Sequence, residues 1–214
     1  MLETSTTSAE FLVALGGVQR YPHKDIELCI IKNFLRPVEC ESLIQLIDEK
    51  RRPSTIADAN GDDYFRTSET CDLDHHDPFV TEIDQKICNF ADIHPKYGEP
   101  LQGQRYAVGQ EFKAHTDYFD PDGLDFKKFC TISGQRTWTF MIYLNEPGAG
   151  GATSFTHLNK KFVPKTGTLL CWNNMRADGT VNDRTMHHGM KVRSGTKYVI
   201  TKWYRERPWP WSPE

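Results

Sequence analysis

The six cysteines form no Cys-x-x-Cys pair, which removes the usual thiolate pattern of a structural zinc site or a redox dithiol. Cys29, Cys40, Cys71, Cys88, Cys130 and Cys171 stand apart, several among apolar neighbours, and read as buried free thiols. There is no excess of positive charge: 26 Lys and Arg against 29 Asp and Glu leave a net charge of -3. The basic residues form no arm or stripe, so no nucleic-acid partner is expected. No apolar run approaches the ~20 residues of a membrane span, so no membrane partner is expected. The stretch Met1 to Glu10 holds two acids, no basic residue and no apolar segment, unlike a secretory signal. These absences together point to a reducing, cytoplasmic setting. Internal repeats and low-complexity segments are also lacking.

What is present is an ordinary globular composition, 38% hydrophobic and 26% charged over 214 residues. That length suits one domain spanning 1–214. The polar start, to about residue 10, is expected to fray. Glu27 to Ile31 reads as a strand. Pro37 opens a helix whose apolar face carries Leu43, Ile44, Leu46 and Ile47. Residues 51 to 64 read as a loop with a turn at Asn60-Gly61, and Arg66-Thr67-Ser68 as a short extended piece. Asp77-Pro78 caps a second helix, striped by Phe79, Val80, Ile83, Ile87 and Phe90. From about Glu99 the pattern changes to short β-branched and aromatic segments between turns. They are Leu101–Val108, Thr137–Leu144, Gly167–Trp172, Met186–Val192 and Lys197–Tyr204. Helical support over about 34–93, followed by strands over about 99–205, predicts a mainly β, α+β fold: a double-sheet barrel. The tryptophans of the Pro208-Trp209-Pro210-Trp211 tail pack either on the sheet or on a partner.

The chemistry gathers around His115-Thr116-Asp117. On extended backbone, residues two apart share a face, so this pair is half a metal site. Two histidines and one carboxylate on one face of an octahedron leave three open positions, which suits ferrous iron and oxygen chemistry. The second histidine is either His187 or His188, which point to opposite faces of a strand. Lys197 lies an even offset beyond His187, across the turn Arg193–Thr196. In its own strand Lys197, Val199 and Thr201 share one face, and Tyr198, Ile200 and Lys202 the other.

An ordered series of motifs carries a resemblance. It comprises Asn33–Cys40, Arg66-Thr-Ser, Tyr106-x-x-Gly-x-x-Phe-x-x-His-x-Asp, Arg136–Asn145, Gly150–Phe155, Pro164–Gly167, His187-x-Gly-x-x-Val-x-x-Gly-x-Lys197 and Thr201-Lys-Trp203. In this series the chain resembles the prolyl 4-hydroxylases of the iron- and 2-oxoglutarate-dependent dioxygenase superfamily, from about Asn33 to Arg205. The resemblance implies a double-stranded β-helix, or jelly roll. It implies His115, Asp117 and His187 as catalytic iron ligands, with His187 chosen over His188. Lys197 is implied to pair with the far carboxylate of 2-oxoglutarate, with Tyr106 and Thr153 bonding the same co-substrate. Arg136, Arg66 and Trp203 are implied near the prime substrate.

The implied cofactors are Fe(II), 2-oxoglutarate and O2, with ascorbate as a reductant. The implied reaction hydroxylates a prolyl residue of a peptide or protein and releases succinate and CO2. The same chemistry on a free amino acid or another small molecule is the alternative, and a non-catalytic metal-binding barrel a third. The chain departs from the family pattern at Phe112, where tyrosine is frequent, at Lys191, at Arg205, and in a long loop from Asp120 to Gln135. These departures touch the prime substrate rather than iron or 2-oxoglutarate.

Overall fold

The computed structural model describes residues 5–54 and 65–210. The predicted Asn60-Gly61 turn and Trp211 lie outside these described residues. The N-terminal half contains strands β1 (Val18–Arg20), β2 (Leu28–Ile31), β3 (Arg52–Pro53), β4 (Glu69–Asp72), β5 (Gln102–Tyr106) and β6 (Phe112–His115). The second half adds β7 (Arg136–Tyr143), β8 (Ala149–Gly150), β9 (Thr153–Phe155) and β10 (Lys160–Phe162). It closes with β11 (Leu169–Asn173), β12 (His187–Gly189), β13 (Val192–Ser194) and β14 (Lys197–Arg205). An eight-stranded sheet runs β1-β2-β11-β7-β14-β5-β4-β3, and a four-stranded sheet runs β10-β9-β12-β6. Together they form the expected jelly roll, mainly β with helical support.

The α-helices among the described residues are α1 (Ala9–Ala14), α2 (Pro37–Lys50), α3 (Pro78–Ala91) and α4 (Leu124–Cys130). The α2 start is a capping box: the Glu39 carboxylate accepts from the Arg36 backbone N–H, and Pro37 fills the first turn. In α3 the Asp77 carboxylate accepts from the backbone N–H groups of Phe79 and Val80, as the Asp-Pro signal predicts. One core lies between these helices and the large sheet, joining Leu43, Ile47, Ile83 and Ile87 to Trp138, Phe140 and Ile200. Gly103 allows the close approach of α2: a Cβ there would sit 2.4 Å from Ile47 Cγ1. A second core fills the space between the sheets with Leu28, Met141, Phe155, Leu170, Trp172 and Val199. Burying one large apolar side chain contributes about 1.5–3 kcal/mol, so both cores contribute strongly.

Two expectations are corrected. Residues 8–10 are not frayed. Ser8 caps α1, and the Glu27 carboxylate accepts from the Ala9 N–H at 2.9 Å, tying that helix to β2. The Asp120–Gln135 stretch is not a plain loop either, because α4 forms within it. Arg207 ties its end down by donating to the carbonyls of Cys130 and Ile132. Trp209 packs back on the barrel: its backbone N–H donates to the Lys96 carbonyl at 2.7 Å, and the Arg205 guanidinium lies 5.6 Å from its ring. No helix among the described residues is long and apolar enough to cross a membrane. All six cysteines are buried and free.

Candidate metal centre and co-substrate cavity

Strand pairing assembles the site. In the small sheet β12 pairs antiparallel with β6 and sets His187 directly opposite His115. Asp117 follows just past the end of β6. Ligand atoms of His115, Asp117 and His187 all lie within 4.8 Å of one another, so they could hold one metal ion. His115 Nε2 is 3.9 Å from Asp117 Oδ1, and His187 Nε2 is 4.0 Å from Asp117 Oδ2. His188 is turned away, and its Nε2 lies 3.0 Å from Glu111 Oε2. The alternation of side chains along β12 thus separates the two histidines.

Each of the two inward rings is held by the same device. His115 Nδ1 lies 2.7 Å from the Lys113 carbonyl, and His187 Nδ1 lies 2.9 Å from the Thr185 carbonyl. A carbonyl there accepts a hydrogen bond from Nδ1–H and so leaves Nε2 as the lone-pair nitrogen facing inward. Burial, reinforced by the nearby His187 ring, pushes the His115 pKa well down and keeps the ring neutral. Burial alone would raise the Asp117 pKa. The neighbouring His187 and His115 rings, the Arg136 guanidinium and a hydrogen bond from Thr139 outweigh it and hold the Asp117 carboxyl below its usual value. Thr139 Oγ1 donates to Asp117 Oδ2 at 2.7 Å and itself accepts from Asn174 Nδ2 at 2.9 Å. Two imidazoles and one carboxylate, with positions to spare, suit Fe(II) better than a closed four-ligand zinc site.

The cavity beside the triad is lined by Tyr106, Thr153, Lys197 and Trp203 as well as by His115, Asp117 and His187. The large sheet places Lys197 opposite Tyr106 across β14 and β5. Lys197 is 2% exposed. Its Nζ lies 5.1 Å from the Tyr106 ring centre and 5.5 Å from that of Tyr143. No described residue offers it a carboxylate. Burial alone pushes its pKa down to about 7. A buried cation without a counter-ion is costly, and an anionic ligand at this end would remove the cost. The Tyr143 hydroxyl, which sequence reasoning missed, sits 2.7 Å from the Thr153 hydroxyl and fixes it beside Lys197.

The expected substrate residues divide. Arg66 and Trp203 line the cavity. The Arg66 guanidinium sits 4.8 Å from the Phe112 ring centre, and Phe112 stacks on His115 at 3.5 Å between centres. Phe112 therefore presses on the His115 ring as well as bordering the cavity. Arg136 does not line it. Its Nε and Nη2 donate to the two Glu99 oxygens at 2.7 and 2.8 Å, and its guanidinium lies 4.1 Å from the Trp203 ring centre. Arg205 Nη1 shares Glu99 Oε1 at 3.0 Å. Burial would raise the Glu99 pKa, but these two guanidiniums hold it low. Glu99, Thr139 and Asn174 were invisible to sequence reasoning, since nothing in their spacing links them to the triad.

Comparison with known proteins agrees with this architecture. Residues 101–205 match the 2OG-Fe(II) oxygenase superfamily, so the fold and site define a 2-oxoglutarate-dependent dioxygenase. The chain is 34% identical over 200 residues to prolyl 4-hydroxylase 5 of Arabidopsis thaliana, covering 82% of this chain and 67% of that protein. It belongs to the prolyl 4-hydroxylase family. It is 30% identical to the human prolyl 4-hydroxylase subunit alpha-1, where the match covers 82% of this chain and 34% of that longer protein. Among solved structures it resembles the viral collagen prolyl hydroxylase of Paramecium Bursaria Chlorella virus-1 in its 2OG complex. That match has a TM-score of 0.65 and 28% identity, over 85% of this chain and 96% of the other.

Proposed function

We propose that the protein hydroxylates a prolyl residue in a peptide or protein, with 2-oxoglutarate and O2 as co-substrates and release of succinate and CO2. His115, Asp117 and His187 hold Fe(II), and Lys197 receives the far carboxylate of 2-oxoglutarate. The observation that carries the reading is Lys197: a buried ammonium without a carboxylate partner among the described residues, in the cavity that holds the His-Asp-His cluster. Its relatives named as prolyl 4-hydroxylases support proline as the target. Both cores share the eight-stranded sheet, which supports reading the helical support and the jelly roll as one catalytic domain.

When bound, ferrous iron supplies the redox centre at which 2-oxoglutarate is decarboxylated and oxygen is activated for C–H hydroxylation. The chain supplies the rest. The Lys113 and Thr185 carbonyls keep both histidine Nε2 atoms unprotonated toward the centre. Thr139 orients the Asp117 carboxylate. Lys197 neutralises the co-substrate's distal charge in a site shielded from water, where a charge-assisted pair is strong and orienting. Tyr106 and Thr153 border that end and offer hydroxyls to the remaining carboxylate lone pairs. Phe112 and Trp203 present ring surface to the substrate side, while Arg136 stiffens Trp203 from behind.

The test is turnover by the iron-loaded chain with 2-oxoglutarate and oxygen. Proline-containing peptides are expected to stimulate succinate release and gain the mass of one oxygen on proline. Stimulation by free amino acids instead would overturn the peptide assignment, and no consumption of 2-oxoglutarate with any substrate would overturn the reading as a whole. His187→Ala is expected to abolish turnover, whereas His188→Ala keeps it.

A further inference from the structure

A second cavity lies behind the first, on the other side of Tyr143. It is a cleft of about 720 Å³. The cleft exists because the two sheets differ in width: eight strands face four. The small sheet stops at β10, while the large sheet continues through β2 to β1. Tyr21, Ile30 and Leu170, from the side that faces the small sheet, form an apolar floor beside β10. Tyr21 meets Phe162 of β10 edge-on at 6.2 Å between ring centres. Lys160, Lys161, Phe162 and Val163 all line the cleft in succession. Successive residues of a strand point to opposite faces. A strand that contributes every residue therefore presents its edge to the cleft rather than one face.

The charge is one-sided. Lys32, Lys160, Lys161 and Lys165 surround the opening, and all are exposed. The one acid on the lining is Glu146, which pairs with Lys165 at 2.5 Å. Three lysines are left without a carboxylate on that lining. Edge lysines by themselves guard a strand against unwanted pairing. Here they flank a partly exposed apolar floor of Tyr21 and Ile30 over buried Leu170 as well, which protection alone does not require. A floor for alternate apolar side chains, a free strand edge and a basic rim together describe a site for strand addition.

We infer that this cleft binds an acidic peptide segment in extended conformation, added to the edge of β10 as a fifth strand of the small sheet, with apolar side chains on Tyr21 and Ile30 and acidic ones among Lys32, Lys160 and Lys161. The occupant is separate from the hydroxylated substrate, because Tyr143 and Thr153 stand between the cleft and the Lys197 cavity. A peptide fits better than a nucleic acid, since the strand edge offers backbone donors and acceptors that only another backbone pairs in register.

The experiment uses the full chain and a fluorescein-labelled octapeptide of alternating glutamate and valine, read by fluorescence anisotropy. Saturable binding is expected, and added salt weakens it. The double variant Lys160→Glu/Lys161→Glu is expected to lose about tenfold in affinity. Both lysines are exposed, so the variant should keep its fold and its 2-oxoglutarate affinity. N-methylation of alternate peptide nitrogens is expected to abolish binding by removing the ladder donors. No saturable binding, or equal binding by the charge-reversed variant, overturns the proposal. Equal binding of the N-methylated peptide overturns strand addition, and equal binding of oligothymidylate shows an unspecific basic patch instead.

Discussion

Strand β14 carries two buried lysines whose surroundings differ in one respect. Lys202 is 3% exposed on the helix side of the sheet, and its Nζ lies 2.6 Å from Asp84 of α3. Gly98 leaves room for its stem, since a Cβ there would sit 2.4 Å from Lys202 Cε. Lys197 is 2% exposed on the opposite, inner side, with the Tyr106 and Tyr143 ring faces around its ammonium and no carboxylate partner among the described residues. Both burials cost desolvation, and only one is offset within the chain. The partnered lysine is scaffold. We read the other, which has no carboxylate partner among the described residues, as a site whose counter-charge arrives with a ligand. The same contrast separates the two arginines: Arg136 is held bidentate by Glu99, while among the described residues Arg66 meets hydroxyl and ring partners at the cavity mouth.

Lys197→Met tests the contrast most severely. Removing one member of a buried charge pair costs about 2–5 kcal/mol of affinity, so 2-oxoglutarate binding is expected to fall by about two to three orders of magnitude. Metal affinity should stay unchanged. Folding of the ligand-free protein should move the other way. The folded lysine titrates at about 7, whereas an unfolded one titrates near ~10.4. Between those values the unfolded chain binds more protons, so wild-type stability relative to the methionine variant rises with pH from about 7 toward about 10. At pH 7 and below the variant is the more stable protein, by about 2–4 kcal/mol. Denaturant midpoints across that pH range check this, and a parallel pH dependence for both proteins would break the contrast. Saturating 2-oxoglutarate should erase the difference in slope.

Asp84→Asn tests the scaffold side. It leaves the Lys202 ammonium buried without its counter-charge. Full loss of such a partner costs about 3–5 kcal/mol, and the partial exposure of Asp84 lowers the expected loss to about 2 kcal/mol. Affinity for 2-oxoglutarate should not change. A stability loss below a few tenths of a kcal/mol, or a parallel loss of co-substrate affinity, would show that the two lysines do not divide as argued.

How much of this was readable beforehand follows from the same distinction between local and long-range partners. His115 and Asp117 were legible because their spacing is local and strand geometry puts them together. The helices beginning at Pro37 and Pro78 were legible from their caps. Lys197 and Lys202 were correctly sorted to opposite faces by alternation, but alternation is silent about which face finds an acid. Asp84 sits on a helix far back in the chain, and only packing brings it to Lys202. Glu99 and Arg136 meet by the same kind of closure. Helix α1 carried one usable signal, the Ser8 cap. Helix α4 follows Gly123, which has no side chain to cap it, and α4 spans only Leu124–Cys130. Tyr143 and Thr139 looked like ordinary core residues of a strong strand, because a hydroxyl that bonds a functional group has the same sequence signature as one that bonds scaffold.

Asp117 joins both conditions on one side chain and gives the finest test. Its Oδ2 accepts from Thr139 at 2.7 Å, whereas no described residue donates to Oδ1. By the argument from the lysines, Oδ2 is set by scaffold and Oδ1 is left for a metal. Thr139→Val keeps the volume and removes the hydroxyl, so Oδ2 loses its donor and Asn174 Nδ2 its acceptor. The carboxylate then turns more freely, and metal affinity is expected to drop by about tenfold, at the lower end for loss of a ligand's hydrogen-bond partner. Thr139→Ser retains the hydroxyl and should retain most of the affinity despite the small cavity it opens. Competition with a chromophoric chelator measures both. Equal affinities for the valine and serine variants would mean that the hydroxyl does not orient Asp117, and that packing around Thr139 alone holds the carboxylate in place.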